Sequence, residues 1–240
     1  MRIFLAGASG AIGRPLTRLL VAAGHPVVGT TRSNEKAEMI AAAGAEPMVV
    51  DVYDAEALRR AVVAARPDVV IHQLTDLPQR RDPQMHAAAL ARNARVRIEG
   101  TLNLVAAARA AGAGRFIAQS VAFAYAPGPT PYDEEAPLDY AATEPGRFAL
   151  VRGITTLEAL TLGTPGFDGI VLRYGMLYGP GTWYETPAAR GSLYVDAAAH
   201  AAVLALTRGR PGRYNIAEDD GTVAIDRARR ELGFDPGFRA

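Results

Sequence analysis

Three glycines at a spacing of three, Gly7, Gly10 and Gly13, fall in the run Gly7-Ala8-Ser9-Gly10-Ala11-Ile12-Gly13. The apolar stretch from Arg2 to Ala6 precedes them, and a helical pattern from Arg14 to Ala23 follows, ending at Gly24. The order is strand, loop, helix. Glycines in such a loop permit a tight turn and close backbone approach, and the first amides of the helix can then meet a pyrophosphate. The chemistry implied is dinucleotide binding, with Gly7, Ser9, Gly10, Ala11, Ile12 and Gly13 around the phosphates. A glycine triplet alone is weak evidence, because an Ala- and Gly-rich chain produces it by chance. Its alternative is a structural turn in some other α/β protein; the flanking strand and helix favour the cofactor.

The second strand ends Thr30-Thr31-Arg32-Ser33. An acidic residue there would accept hydrogen bonds from a ribose 2′-hydroxyl, whereas Arg32 offers a cationic fork suited to a 2′-phosphate. That favours NADP over NAD; the alternative is a solvated arginine that packs on adenine without choosing. Asp51-Val52 follows the third strand, where the carboxylate can meet the adenine amino group and the Val52 backbone the ring edge, unless Asp51 is only a capping loop acid. At the fourth strand, His72-Gln73-Leu74-Thr75 should line the cofactor, with Leu74 and Thr75 nearest it. His72 reads better as a strand-end packing residue than as a general base. His25, His86 and His200 are scattered without ligand spacing, so no metal site is expected.

The elements that position these residues alternate. Strands are expected at Arg2–Ala6, Pro26–Thr31, Glu46–Val50, Val69–His72, Arg115–Gln119 and Gly169–Arg173. Helices are expected over Arg14–Ala23, Asn34–Ala43, Ala55–Ala65, from Met85 or Leu90 to Ala111, and Ala149–Leu162. This is a βαβ pattern with nearly all-apolar strands, the sign of a doubly wound parallel sheet covered on both faces. Residues 1–181 read as that Rossmann-type domain. Residues 182–240, with a strand near Ser192–Val195, a helix over Asp196–Thr207, a strand at Arg213–Ala217 and a helix at Asp226–Leu232, read as a small, reduced substrate-side region rather than an independent domain.

Composition excludes several classes. The 240 residues are 49% hydrophobic, enough for a sizeable core, and carry a formal charge of +1, which leaves no electrostatic footprint for nucleic acid. There is no cysteine, hence no disulfide framework, thiolate nucleophile or thiolate metal site. The first residues resemble a signal peptide superficially, but glycines interrupt the apolar run and Arg18 arrives before a membrane span could form. A cytoplasmic protein with no membrane partner is the expectation.

These residues resemble the short-chain dehydrogenase/reductase superfamily, in its extended epimerase/dehydratase branch. The resemblance is carried by GASGAIG (7–13), DVYDAEAL (51–58), PDVVIHQLT (67–75), RNARVRIEGTLNLVAAARAAGAGRFIAQS (92–120) and LRYGMLYGPGT (172–182). It continues more weakly at YVDAAAHAAVLAL (194–206), YNIAEDD (214–220) and RARRELGFDP (227–236). It implies a Rossmann-type sheet with the nicotinamide near the ends of strands four to six. It also implies Asn93 as a helix residue supporting the active-site wall and Ser120 as the hydroxyl that holds a substrate oxygen. A homodimer built on the helices near 90–111 and 149–162 is implied as well.

The chain departs from that family at its proton-transfer pair. The family uses a tyrosine followed four residues later by a lysine, and no Y-x-x-x-K occurs here. Anchoring on ALVRGITTLEAL (149–160), with Glu158 at the glutamate that follows the lysine, puts Leu150 at the tyrosine position and Ile154 at the lysine position. Tyr125, in SVAFAYAPG, is the candidate replacement proton donor, with Tyr132, Tyr140 and Tyr174 as lesser ones. Asp133, Glu134 and Glu135 read as a solvated loop or cap. The chain is also short near 185–192 and 221–222: either the protein is pared down there, with an open site, or the sequence joins segments across loops left out of it. Three functions compete. The first is an NADP(H)-dependent oxidoreductase acting on a small carbonyl, alcohol or sugar-like substrate through Ser120 and Tyr125. The second is a non-catalytic or redox-sensing NADP(H)-binding protein, and the third a nucleotide-sugar epimerase or dehydratase.

Overall fold

The computed structural model describes residues 1–78 and 86–240. Among the described residues nine strands and eight helices follow one another, beginning β1 (Ile3–Ala6), α1 (Gly13–Ala22), β2 (Val27–Thr31), α2 (Asn34–Ala42), β3 (Glu46–Val49), α3 (Ala55–Ala65) and β4 (Val69–His72). Then come α4 (His86–Arg95), α5 (Thr101–Ala111), β5 (Arg115–Val121), α6 (Pro145–Gly163), β6 (Asp168–Tyr174) and β7 (Met176–Tyr178). The chain ends with β8 (Ser192–Tyr194), α7 (Val195–Leu204), β9 (Gly212–Ile216) and α8 (Asp226–Leu232). Between α4 and α5 the backbone winds as a π-helical turn over Val96–Gly100. The expected start of the α4 helix at Met85 lies outside the described residues.

Seven strands form one parallel sheet in the order β3-β2-β1-β4-β5-β6-β9, while β7 and β8 pair separately. The doubly wound sheet is therefore as expected. Pleating sends alternate side chains to opposite faces. Ile3, Leu5, Ile71, Ile117, Ile170 and Leu172 pack with α1, α2 and α7, and Phe4, Val70, Phe116 and Ala118 pack with α3, α5 and Leu157 of α6. The tail is not only substrate-side: β9 is the last strand of the central sheet and α7 packs beside α1. The buried alanines of α7, Ala197, Ala198, Ala199, Ala201 and Ala202, permit that close approach.

Two differences from expectation bear on the site. β5 runs two residues further than expected, so Ser120 lies inside the sheet rather than beyond its end. α6 starts four residues earlier, at Pro145, because Glu144 caps it. The Glu144 carboxylate accepts from the Gly146 and Arg147 amides at 2.8 and 2.5 Å, and Pro145 occupies the first turn, where its missing N–H costs nothing. No helix among the described residues is long and apolar enough to cross a membrane.

α6 sits on the sheet through a backbone-to-backbone approach at Gly169, where a Cβ would lie 2.1 Å from the Thr161 carbonyl oxygen. Gly169→Ala is therefore expected to destabilise the protein by about 1–3 kcal/mol, the usual cost of overpacking. Urea unfolding checks it; an unchanged midpoint would mean that α6 moves away freely.

Candidate functional site

The glycine loop is built largely by the chain's own constraints. Gly7 has φ +93°, and its amide donates to Thr30 Oγ1 at 3.2 Å. A Cβ on Gly13 would come within 2.1 Å of the Gly7 carbonyl oxygen, so only glycine closes the turn there. Gly10 differs, since a Cβ on it would meet only that same oxygen, at 3.3 Å. The backbone N–H groups of Ala11, Ile12 and Gly13 find no acceptor among the described residues. Ile12 and Gly13 are buried nonetheless. Converging unpaired amides at a helix N-terminus suit an anion. A dinucleotide pyrophosphate fits this cradle by the chemistry of its donors.

Beside the loop, Ser9 Oγ lies 3.4 Å from Thr31 Oγ1. The Arg32 side chain is 56% exposed, and its ion pair to Asp76 spans 3.6 Å. Ser33 caps α2, accepting from the amide of Lys36, the only lysine in the chain. Asp51 is engaged as a turn cap, accepting from the Tyr53 amide at 3.0 Å. Val52 is buried, and its carbonyl accepts from Asn103 Nδ2 at 2.9 Å. Leu74 is half-buried and Thr75 exposed at the end of β4. Asn93 accepts from the Asp76 amide at 3.0 Å and so ties α4 to the loop after β4.

His72 is a packing residue, as read from the sequence. Its Nδ1 accepts from the Leu74 amide at 3.2 Å, which leaves the proton on Nε2 to be donated to Thr101 Oγ1 at 3.0 Å. Burial, reinforced by the charge of Arg97, pulls its pKa down to about 3, so the ring is neutral at ordinary pH. Among the described residues no group of three or more His, Asp or Glu side chains could hold a metal.

Ser120, Arg173 and Asn215 form one row across β5, β6 and β9, because Ser120 is in register with Arg173 and Arg173 with Asn215. α6 lowers Glu158 onto that row. Ser120 Oγ donates to Glu158 Oε1 at 2.7 Å. Arg173 donates to both carboxylate oxygens, at 2.8 and 2.7 Å, and Arg213 adds a third charged donor at 2.8 Å. Tyr125 closes the network, donating to Asn215 Oδ1 at 2.6 Å and accepting from Arg173 Nη1 at 3.0 Å. Glu134, expected as a solvated loop acid, is instead buried, and its Oε1 accepts from the Asn215 amide at 3.0 Å. Desolvation alone would raise the Glu158 pKa; the bonds from Arg173, Ser120 and Arg213 outweigh it and hold the carboxyl below its ordinary 4.5.

In this arrangement the hydroxyls of Ser120 and Tyr125 are engaged within the protein. The Ser120 side chain is fully buried and its proton is committed to Glu158. The Tyr125 hydroxyl is bound on both sides, and burial raises its pKa, which makes it a poorer acid. The lesser candidates are no better placed. The Tyr132 hydroxyl is engaged with the Gly128 backbone, Tyr140 is exposed on a loop, and Tyr174 is fully buried and bonded to Gln73.

The sequence profile of the NAD dependent epimerase/dehydratase family matches residues 3–191. A "3-diazoavenalumate denitrifying reductase" of a Streptomyces species is 42% identical over 98% of this chain and 83% of its own length. The chain belongs to the NAD dependent epimerase/dehydratase family. Another relative, a "4-hydroxy-2-methyl-3-oxo-4-farnesyl-3,4-dihydroquinoline-1-oxide ketoreductase" of Stigmatella aurantiaca, is 31% identical over 75% of this chain and 51% of its own. The fold matches UDP-glucose 4-epimerase of Thermotoga maritima, solved with UDP-glucose, at a TM-score of 0.78 and 19% identity over 100% of this chain and 94% of that one. It also matches DesIV, a dTDP-glucose 4,6-dehydratase of Streptomyces venezuelae solved with NAD, at a TM-score of 0.78 and 17% identity over 100% of this chain and 93% of that one.

On α6, Leu150 is half-buried and Ile154 is fully buried in the core. The sequence reading missed Arg97, which is buried beside Gly153 of α6. The α-helical i, i+4 pattern does not point to it, because Arg97 lies in the π-helical turn Val96–Gly100.

Glu158→Gln leaves Arg173 and Arg213 facing a neutral amide, and loss of one partner of a buried pair costs about 3–5 kcal/mol. Because the folded pKa of Glu158 lies below its unfolded value, its contribution is present above about pH 4.5 and is lost as pH falls through the folded value. Chemical unfolding between pH 7 and 3 should show a large loss at pH 7 that shrinks toward pH 3. A variant as stable as wild type at pH 7 would remove Glu158 from the centre of the network.

Proposed function

We propose that this protein is a nicotinamide-dinucleotide-dependent reductase whose hydride acceptor needs no proton from a protein side chain. The observation that carries the proposal is the pairing of an unfilled amide cradle at Ala11–Gly13 with a fully satisfied hydroxyl network at Ser120 and Tyr125. Gly7, Ser9, Gly10, Ala11, Ile12 and Gly13 would hold the pyrophosphate, Arg32 the 2′-phosphate, and Leu74 and Thr75 the groove wall. Bound there, the dinucleotide supplies a hydride.

An aryl carbon bearing a diazonium group suits such a site. A C–H bond forms, the C–N bond breaks, its electron pair leaves with dinitrogen, and no proton enters the balance. The 42% identical relative, a 3-diazoavenalumate denitrifying reductase, supports this class. Reduction of a ketone, as in the name of the 31% identical relative, is the second reading. It requires a proton at oxygen, a step for which a positioned acid is ordinarily worth roughly 10²–10⁴-fold. Exposed Leu102 on α5 and Phe148 on α6 support pairing of two copies through these helices.

Incubation with NADPH and a panel of arenediazonium, ketone and nucleotide-sugar substrates tests the reading. NADPH oxidation with stoichiometric dinitrogen release and the hydrodediazotised arene as product is expected. Turnover of ketones but not of the diazonium compounds would favour the second reading instead.

NADP preference rests on Arg32, whose pairing with Asp76 is weak enough to exchange for a phosphate. Arg32→Ala should weaken NADPH binding about tenfold or more, the worth of one charge-assisted hydrogen bond, and leave NADH nearly unchanged. Calorimetric titration of both cofactors decides it: if wild type binds NADH at least as tightly as NADPH, the Arg32 argument is wrong.

A further inference from the structure

Arg97 occupies the π-helical turn between α4 and α5 and is only 4% exposed. Its Nη1 is buried without a partner, and the guanidinium makes no hydrogen bond and no ion pair within 4 Å among the described residues. A buried cation in that state is expensive unless a counter-charge arrives. The carboxylate near enough to feel it, Glu158, is already saturated by Ser120, Arg173 and Arg213. Two arginines therefore share one carboxylate, and Arg97 adds a third positive charge that the same Glu158 meets only without direct contact.

The fold makes room for this side chain. Gly153 of α6 faces it, and a Cβ there would lie 3.4 Å from Arg97 Cδ and 3.1 Å from Ala94 Cα. The π-turn shifts the register of the α4–α5 helix at the same point, a distortion found often at functional sites. His72, held neutral by burial, adds no positive charge of its own beside Arg97.

We propose that Arg97 is the binding cation for an oxyanion of a bound ligand, supplied either by the dinucleotide or by a carboxylate on the substrate. The assignment rests on the reductase reading and extends it to a residue of α4–α5. A carboxylate-bearing aromatic substrate would be gripped at one end by Arg97 while its other end is reduced.

The test uses the full chain with Arg97→Met, and Arg97→Gln should the methionine variant not fold. Three quantities are measured: the unfolding midpoint of the free protein, NADP⁺ affinity by calorimetry, and affinity of the NADP⁺-saturated protein for cinnamate as an aryl carboxylate probe. The free variant should be as stable as wild type or more so, because an unpaired buried charge is gone. At the same time one affinity should fall about tenfold or more. A fall for NADP⁺ identifies the cofactor as the oxyanion source; a fall for cinnamate alone identifies the substrate. Affinities for both probes within about twofold of wild type would overturn the assignment, as would a variant that is destabilised while binding both normally. A wild-type protein that binds no dinucleotide sinks the reductase reading itself, and that result is read before any variant is made.

Discussion

Glu158 has both carboxylate oxygens occupied and almost no contact with water, and the C-terminal half of the protein is organised around that fact. It reaches down from α6 to β5 through Ser120, to β6 through Arg173 and to β9 through Arg213. Arg173 extends the grip to Tyr125 and to the Glu134 carbonyl, and Asn215 joins β9 to the same loop. A buried ion pair is a poor source of net stability, because desolvation offsets most of the attraction. What it supplies here is position. Each partner comes from a different element, so α6 can sit in one register only, with residues 150 and 154 at the sheet's functional end.

Saturation of the network also determines what the site can do. A proton relay needs a group that can change its partner during the reaction. Ser120 and Tyr125 have acceptors that do not change, Glu158 and Asn215. An amide such as Asn215 cannot pass a proton onward. In the free protein both hydroxyls are thus committed to the scaffold, which is the ground of the reductase reading proposed above. The unfilled capacity lies elsewhere, in the loop amides at the start of α1 and in the guanidinium of Arg97. Both are positive in character and both suit oxyanions.

How far these features can be read from the sequence depends on the distance over which each is defined. The cradle is complete within seven consecutive residues, and the apolar runs of β1, β4 and β6 mark their own faces, so the sheet and its cofactor loop are legible. Helix α6 is harder. Its start depends on the Glu144 cap, and Arg147 and Phe148 in its first turn break the apolar period. The roles of Ser120 and Tyr125 depend on partners 38 and 90 residues away, which local pattern cannot reveal. The small β7–β8 pair, three residues in each strand, is too short to show any alternation. Arg97 hides for a related reason: its inward direction is set by the π-turn and by the room that Gly153 leaves on another helix.

The division of labour between elements separates the cofactor loop from the α6 side of the site. The amide cradle belongs to β1, α1 and β2, and no residue of α6 contributes to it. Leu150 and Ile154 of α6 are therefore free to serve the core: Ile154 lies wholly within it, where a buried isoleucine contributes about 1.5–3 kcal/mol relative to an exposed one. Positive charge reaches this side of α6 from Arg97, which faces Gly153. A buried guanidinium of this kind can attract and orient an oxyanion but is a poor proton donor, since it stays charged at neutral pH even though burial lowers its pKa to about 10. A substrate that carries its own leaving group is the kind for which orientation without proton transfer is sufficient.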